Sequence, residues 1–324
     1  MNIVFHGENC APFVSGFREL LGGHHEIVHL LRDPENPQEI DAYSSADIII
    51  STRFDEKLPT PRRLRLFHVP GAGYDKVALQ SFPAGVNICN CFGHEDGIAE
   101  YVMAALLMHT VPLADADARL RRGEWAYRAG AADRVHQELA GKTIGLLGFG
   151  HIGKAVAVRA KAFGMRVHVA NRSVVAPDPI VDRAWTLPDI AEFYASADFL
   201  IVSLPLAEET RGIMDREAFE AMRRSAILIN VGRAETIDEQ ALFDALQKRR
   251  IAGAVIDTWY VYPAGPSTNG EPANLPFHSL QNITMTPHMS GWTSGTITRR
   301  QRAMAENIRR LERGENLLNL VHST

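Results

Sequence analysis

GKTIGLLGFGHIGKAVAVRAKAFGMRVHVANRS, residues 141–173, opens with a short apolar run, Ile144 to Leu147, that reads as a buried strand. The turn Gly148-Phe149-Gly150-His151-Ile152-Gly153 follows at once. Ala155, Val156, Ala160 and Phe163 then fall at helical spacing, Gly164 stands where a helix ends, and Val167 to Ala170 reads as the next parallel strand. Strand, glycines, helix, cap and strand in this order form the context that turns G-x-G-x-x-G into a dinucleotide-binding signal. Gly148 permits the tight turn, Gly150 lets backbone approach a pyrophosphate, and Gly153 lets the helix pack on the strand. His151 and Ile152 begin that helix, whose N-terminal amides and partial positive charge suit phosphate.

The end of the second strand chooses the cofactor. About 20 residues past the glycines, a site for NAD carries Asp or Glu to accept the ribose hydroxyls. Here the strand ends Ala170-Asn171-Arg172-Ser173. Neutral Asn171 does not repel a 2′-phosphate, Arg172 can pair with one, and Ser173 adds a hydroxyl donor. These residues predict NADP(H) as the preferred cofactor, with NAD(H) as the other possibility.

Outward from this stretch, 324 residues suit two domains, each with its own core. A net charge of -4 and a pI near 6.4 give no general attraction to nucleic acid or anionic membrane. The start, MNIVFHGENC, lacks the apolar core of a signal peptide, and no run of about 20 apolar residues occurs. Cys10, Cys89 and Cys91 make a disulfide framework improbable and point to a reducing, cytoplasmic setting. Cys89 and Cys91 stand near His94, Glu95 and Asp96, but no second ligand pair accompanies them, so no metal is expected.

Apolar runs and helical patterns alternate along the chain. Asn2–Phe5, Glu26–Leu30, Ala46–Ser51, Leu64–Val69 and Val86–Cys89 read as strands, with a helix over Phe13–Leu21. After Ser173 come strands at Asp198–Ser203, Ala226–Asn230, Ala252–Ile256 and Ile283–Met285. Helices are expected at Gly97–Leu107, Leu187–Tyr194, Arg216–Met222, Asp238–Lys248 and Thr293–Arg313, and Thr110–Leu120 continues the link between the two units. The alternation predicts an α/β chain of two Rossmann-like, doubly wound parallel-sheet domains. Polar candidates follow successive strand ends, the edge where such sheets bind ligands. Gly71-Ala72-Gly73 sits at one of them, where small residues expose amides that can hold a carboxylate.

Several segments together resemble the D-isomer-specific 2-hydroxyacid dehydrogenases. They are GAGYD at 71–75, AEYVMAALL at 99–107, the glycine turn, DFLIVSLPLAEETRG at 198–212, INVGRAETIDEQAL at 229–242, AGAVIDTWY at 252–260 and TPHMSGWT at 286–293. The resemblance implies a substrate-binding domain from 1–95 plus 290–324, a dinucleotide-binding domain over 96–289, and a homodimer joined through the latter. It implies a cleft between the two domains, and with it closure on hinges near 92–100 and 288–292. It casts Arg233 as the substrate-orienting cation and His288 as general acid and base, both also near the nicotinamide. It assigns Leu204, Pro205 and Thr210 to the adenosine side, Val231 and Gly232 to backbone near the nicotinamide, and Asp257 to its carboxamide. Gly291 follows the histidine as in the family, and Ala72 with Gly73 matches the substrate-carboxylate loop. His151 departs from the family's frequent arginine in the glycine turn.

A second departure touches the chemistry. The family's glutamate partner of the histidine, five residues after Asp257, is here Tyr262. The segment from there to His288 is also longer than usual. Either Glu271 supplies the carboxylate from a shifted position, or Tyr262 hydrogen-bonds His288 without adding charge. In the second case reduction fades at lower pH than is usual for the family. The implied activity is hydride transfer between NADPH and a small 2-keto acid, glyoxylate or hydroxypyruvate foremost. Other readings are a dinucleotide-binding sensor with little turnover, or a formate- or phosphoglycerate-dehydrogenase-like enzyme. The formate branch carries glutamine where Tyr262 stands. No length after Thr324 is left for the regulatory domain of many phosphoglycerate dehydrogenases.

Overall fold

A computed structural model of the protein describes residues 1–131, 134–263 and 269–324. Residues 264–268, within the long segment before His288, lie outside the described residues. The strands are β1 (Asn2–His6), β2 (Glu26–Leu30), β3 (Ile48–Ser51), β4 (Leu66–His68), β5 (Asn87–Cys89), β6 (Thr143–Leu147) and β7 (Arg166–Ala170). They continue with β8 (Arg183–Trp185), β9 (Phe199–Val202), β10 (Ile227–Asn230), β11 (Gly253–Ile256), β12 (Ile283–Met285) and β13 (Leu320–Ser323). The helices are α1 (Ala11–Val14), α2 (Phe17–Leu21), α3 (Pro37–Ser44), α4 (Glu95–Thr110) and α5 (Leu113–Leu120). After them come α6 (His151–Ala162), α7 (Ile190–Ser196), α8 (Arg216–Ala221), α9 (Glu239–Gln247) and α10 (Ser294–Arg313).

The chain divides into two compact units, Met1–His94 with Thr293–Thr324, and Glu95–Trp292. In the second unit the sheet order is β12-β11-β10-β9-β6-β7-β8, all parallel. β6, β9, β10 and β11 are buried along their whole length, as a parallel sheet covered on both faces requires. Alternate residues serve opposite faces. Leu147, Leu200, Leu228 and Ala254 pack with Phe193, Phe219 and Leu242 of α7, α8 and α9. Leu146, Ile201, Ile229 and Val255 pack with Val102, Leu106, Val156 and Ala160 of α4 and α6. Strand order reverses at β6, so β6 and β9 flank the switch point where such sheets bind ligands. Leu147 is in register with Val202, Val202 with Asn230, Asn230 with Ile256, and Ile256 with Met285. The residues that follow each of these therefore emerge along one edge.

The first unit has the order β13-β5-β4-β3-β1-β2. Ile3, Phe5, Ile48 and Ile50 meet Phe13, Phe17, Met304 and Ile308 on one face, and Val4, Ile49 and Phe67 meet Tyr43 and Phe82 on the other. His68, wholly buried at the end of β4, donates from Nδ1 to the Val69 carbonyl at 3.0 Å and faces Asn307 Nδ2 of α10 through Nε2 at 3.0 Å. Burial pushes its pKa down to about 4, so it stays neutral and can accept the Asn307 amide. Asn307 also brackets Leu318, pinning the turn into β13 against the same core.

Two expectations are corrected and two strands are added. Phe13–Leu21 is not one helix: α1 ends at Val14, and Gly16 takes φ 72 before α2, a left-handed break that glycine tolerates. The short edge strands β8 and β13 escape a reading by apolar runs, because most of their residues are exposed. β13 pairs with β5 antiparallel, so the first sheet is parallel except at that edge. Cys89 and Cys91 lie in the first unit's core, where burial pushes the Cys89 thiol up to about 12. No single helix among the described residues is long and apolar enough to cross a membrane.

Candidate active site

The glycine turn leaves β6 at the switch point. Gly148 takes φ 100 and donates its amide to Ala170 O at 2.9 Å, which closes the turn onto β7. A Cβ on Gly153 would lie 2.3 Å from Gly148 O, so only glycine allows α6 to start this close to the strand. A Cβ on Gly150 would face open space, and no side chain caps the α6 N-terminus there. The first turn thus presents its amides outward, an arrangement that fits a pyrophosphate.

Asn171 is drawn into this turn. Its Oδ1 accepts from Phe149 N at 3.5 Å and its Nδ2 donates to Ser173 O at 3.2 Å. Arg172 and Ser173 are exposed, and Arg172 forms no ion pair among the described residues. Leu204 and Pro205 follow β9, Leu204 buried in the core and Pro205 exposed. Thr210 closes their loop: its hydroxyl donates to Pro205 O at 2.7 Å and accepts from Ala207 N at 2.8 Å.

β10 delivers Val231, Gly232 and Arg233. A Cβ on Gly232 would lie 2.8 Å from Leu204 O, so the two strand-end loops touch through backbone. Asn230, buried at the strand end, holds this corner from both sides. Its Oδ1 accepts from Gly232 N at 3.0 Å and its Nδ2 donates to Arg233 O at 3.2 Å. Thr236 adds its hydroxyl to the same carbonyl at 2.6 Å. Sequence reading passed over Asn230, although a polar residue closing the apolar run ILIN was the available signal.

β12 delivers Thr286, Pro287 and His288. His288 has φ 57, a left-handed conformation that non-glycine residues adopt rarely and that surroundings must enforce. The enforcing group is Asp257, wholly buried after β11. Its Oδ1 accepts from Met289 N at 2.9 Å and from the Thr286 hydroxyl at 2.6 Å, and its Oδ2 accepts from Ser290 N at 2.9 Å. Asp257 is thus first of all the anchor of the turn that carries His288 and Gly291. Trp259 adds an indole N–H to Thr286 O at 2.8 Å.

The structure brings Tyr262, not Glu271, to the imidazole. The Tyr262 hydroxyl lies 2.9 Å from His288 Nδ1 and accepts from Trp259 N at 3.3 Å. Glu271 instead lies 3.4 Å from His278, both well exposed, which corrects the reading of Glu271 as the partner. Partial burial raises the Tyr262 pKa, so the phenol remains neutral. A neutral phenol can donate to Nδ1 of imidazole and accept from Nδ1–H of imidazolium, serving either state without charge.

In the first unit, Gly71–Gly73 follows β4. Gly71 O accepts from Cys91 N at 3.1 Å and Ala72 O from Asn90 Nδ2 at 2.8 Å. Both carbonyls are thereby fixed, while the amides of Ala72 and Gly73 donate to no acceptor among the described residues.

A switch-point glycine turn and strand-end Arg and His groups in one parallel sheet define a nicotinamide-dinucleotide oxidoreductase. Residues 103–290 match the NAD-binding domain of the D-isomer specific 2-hydroxyacid dehydrogenases. The chain is similar to the glyoxylate reductase of Thermococcus kodakarensis, 30% identical over 308 residues that cover 92% of this chain and 90% of the relative. It is also similar to a solved D-isomer specific 2-hydroxyacid dehydrogenase of Xanthobacter autotrophicus in complex with NADPH and MES, with TM-score 0.75, 26% identity, and coverage of 99% of this chain and 97% of that one. A solved acyclic imino acid reductase in complex with NADPH and D-Arg aligns with TM-score 0.77 at 25% identity, over 99% of this chain and all of that one. The chain belongs to the D-isomer specific 2-hydroxyacid dehydrogenase family.

Proposed function

We propose that this protein is an NADPH-preferring reductase of small 2-keto acids, with glyoxylate and hydroxypyruvate as the favoured substrates. The observation that carries this reading is His288, fixed in a strained turn at the strand-end edge that also bears the glycine turn and Arg233. Bound NADPH would supply the hydride. The α6 amides take the pyrophosphate, and Arg172 with Ser173 takes the 2′-phosphate by charge-assisted hydrogen bonds. Arg233 orients the carbonyl and stabilises negative charge developing on its oxygen. His288 gives that oxygen a proton and takes one in the reverse direction. Ala72 and Gly73 hold the substrate carboxylate through their amides.

We assign Tyr262 as the partner of His288 in place of the family's glutamate. Tyr262→Glu restores a carboxylate beside Nδ1, which favours the protonated ring. Because reduction needs that proton, activity falls as pH rises through the histidine's titration. The variant is therefore expected to carry the high-pH limb of kcat/KM upward by about one to three pH units. A pH–rate profile checks this, and a limb that stays in place contradicts the assignment.

We infer a homodimer in the cytoplasm. Leu113, Trp125 and Val135 of the second unit are 74%, 70% and 76% exposed, apolar side chains that a partner subunit would cover. The three free, buried cysteines suit a reducing compartment. Sedimentation at the single-chain mass of 35.8 kDa would contradict the dimer.

A further inference from the structure

We propose that Tyr101, on α4, is a positioning residue for proton transfer, acting on His288 through a chain of directed hydrogen bonds. The proposal rests on His288 as the proton donor. The Thr286 hydroxyl has one proton, and its Oγ1 lies 2.6 Å from Asp257 Oδ1 and 3.5 Å from Ile256 O. The short contact to a carboxylate takes that proton. Tyr101 Oη lies 2.7 Å from the same Oγ1, so the tyrosine must donate there. The order is then fixed: Tyr101 donates to Thr286, Thr286 donates to Asp257, and Asp257 accepts the amides of Met289 and Ser290.

Those two amides belong to the residues directly after His288, whose own amide turns back to Thr286 O at 3.0 Å. The left-handed backbone of His288 is thus over-determined by Asp257, and Asp257 is held in turn by Thr286 and Tyr101. α4 is a rigid base for this, with Ile98, Ala99, Val102 and Leu106 buried against the sheet. Tyr101 touches neither Arg233 nor His288 in this chain of bonds, and its effect is on where the imidazole stands. Small displacements of a proton donor cost rate more than binding.

Steady-state kinetics of single and double variants, with NADPH and glyoxylate, test the proposal. Tyr101→Phe removes one hydroxyl and is expected to lower kcat about tenfold with the KM for NADPH unchanged within about twofold. Thr286→Val is expected to lower kcat at least as far, and Thr286→Ser, which keeps the hydroxyl, to restore most of it. The double variant Tyr101→Phe with Thr286→Val is expected to be no slower than Thr286→Val alone, since both act along one chain. Wild-type kcat in Tyr101→Phe, or fully additive losses in the double variant, overturns the proposal. His288→Gln measured alongside separates the two ideas. If that variant keeps turnover, the functional reading fails; if it loses turnover while Tyr101→Phe does not, only the positioning role fails.

Discussion

His288→Gln is expected to lower kcat for 2-keto acid reduction by about 10²- to 10⁴-fold, the range that a positioned general acid contributes. Glutamine keeps a hydrogen-bond donor near the substrate oxygen but holds no transferable proton at neutral pH. Binding of NADPH, titrated by nicotinamide fluorescence, is expected to change by no more than a few fold. The reason is that the proposed pyrophosphate site, the glycine turn of β6, lies on a different loop of the sheet edge. The two readouts together separate loss of chemistry from loss of fold. A variant that reduces glyoxylate at the wild-type rate would remove His288 from the mechanism. The strained turn would then need another purpose, since a left-handed histidine held by a wholly buried aspartate is costly to maintain.

Arg172→Ala is expected to lower kcat/KM for NADPH by about 10- to 100-fold while leaving that for NADH nearly unchanged, the size of one or two hydrogen bonds to a charged group. Arg172 is exposed just after β7 and makes no ion pair among the described residues that its removal would break, so no structural penalty complicates the result. Asn171 contributes differently. Its side chain braces Phe149 N and Ser173 O, and in doing so keeps the carboxylate of an NAD-type site out of this position. The proposed specificity combines an attractive cation with the absence of a repelling anion. Equal losses with both cofactors would show that Arg172 supports the loop rather than reads the phosphate.

The second unit was legible in the sequence to an unusual degree, and the reason is physical. Its central strands are buried on both faces, so they stand out as apolar runs, and polar groups begin where each run stops. Arg233, Asp257 and His288 could be read off those strand ends because register aligns the ends along one edge. Two of the edge strands carry no such signal: β8 and β13 are short and mostly exposed, and only their pairing makes them strands. The histidine's partner was equally hidden. Tyr262 and Glu271 both precede His288 in a long segment, and sequence distance does not decide which reaches the imidazole. The hydrogen bond from Tyr262 does.

The bracing groups were the least visible part. Asn230, Thr286 and Tyr101 look like ordinary members of a strand end, a loop and an apolar helix. Their meaning lies in hydroxyl and amide directions that exist only once β10, β12 and α4 are assembled. Asp257 illustrates the same limit from the other side. Resemblance alone assigned it to the cofactor's carboxamide, whereas the folded chain engages both of its oxygens in holding the turn that bears His288.

The most direct test of the account is the rate at which the purified wild-type protein consumes NADPH and NADH with glyoxylate, hydroxypyruvate and pyruvate. The account predicts saturable turnover on glyoxylate or hydroxypyruvate, with kcat/KM for NADPH at least about tenfold above that for NADH, as expected where Arg pairs with the 2′-phosphate. Tight binding of NADPH with no turnover on any of the three acids would contradict it and favour a dinucleotide sensor.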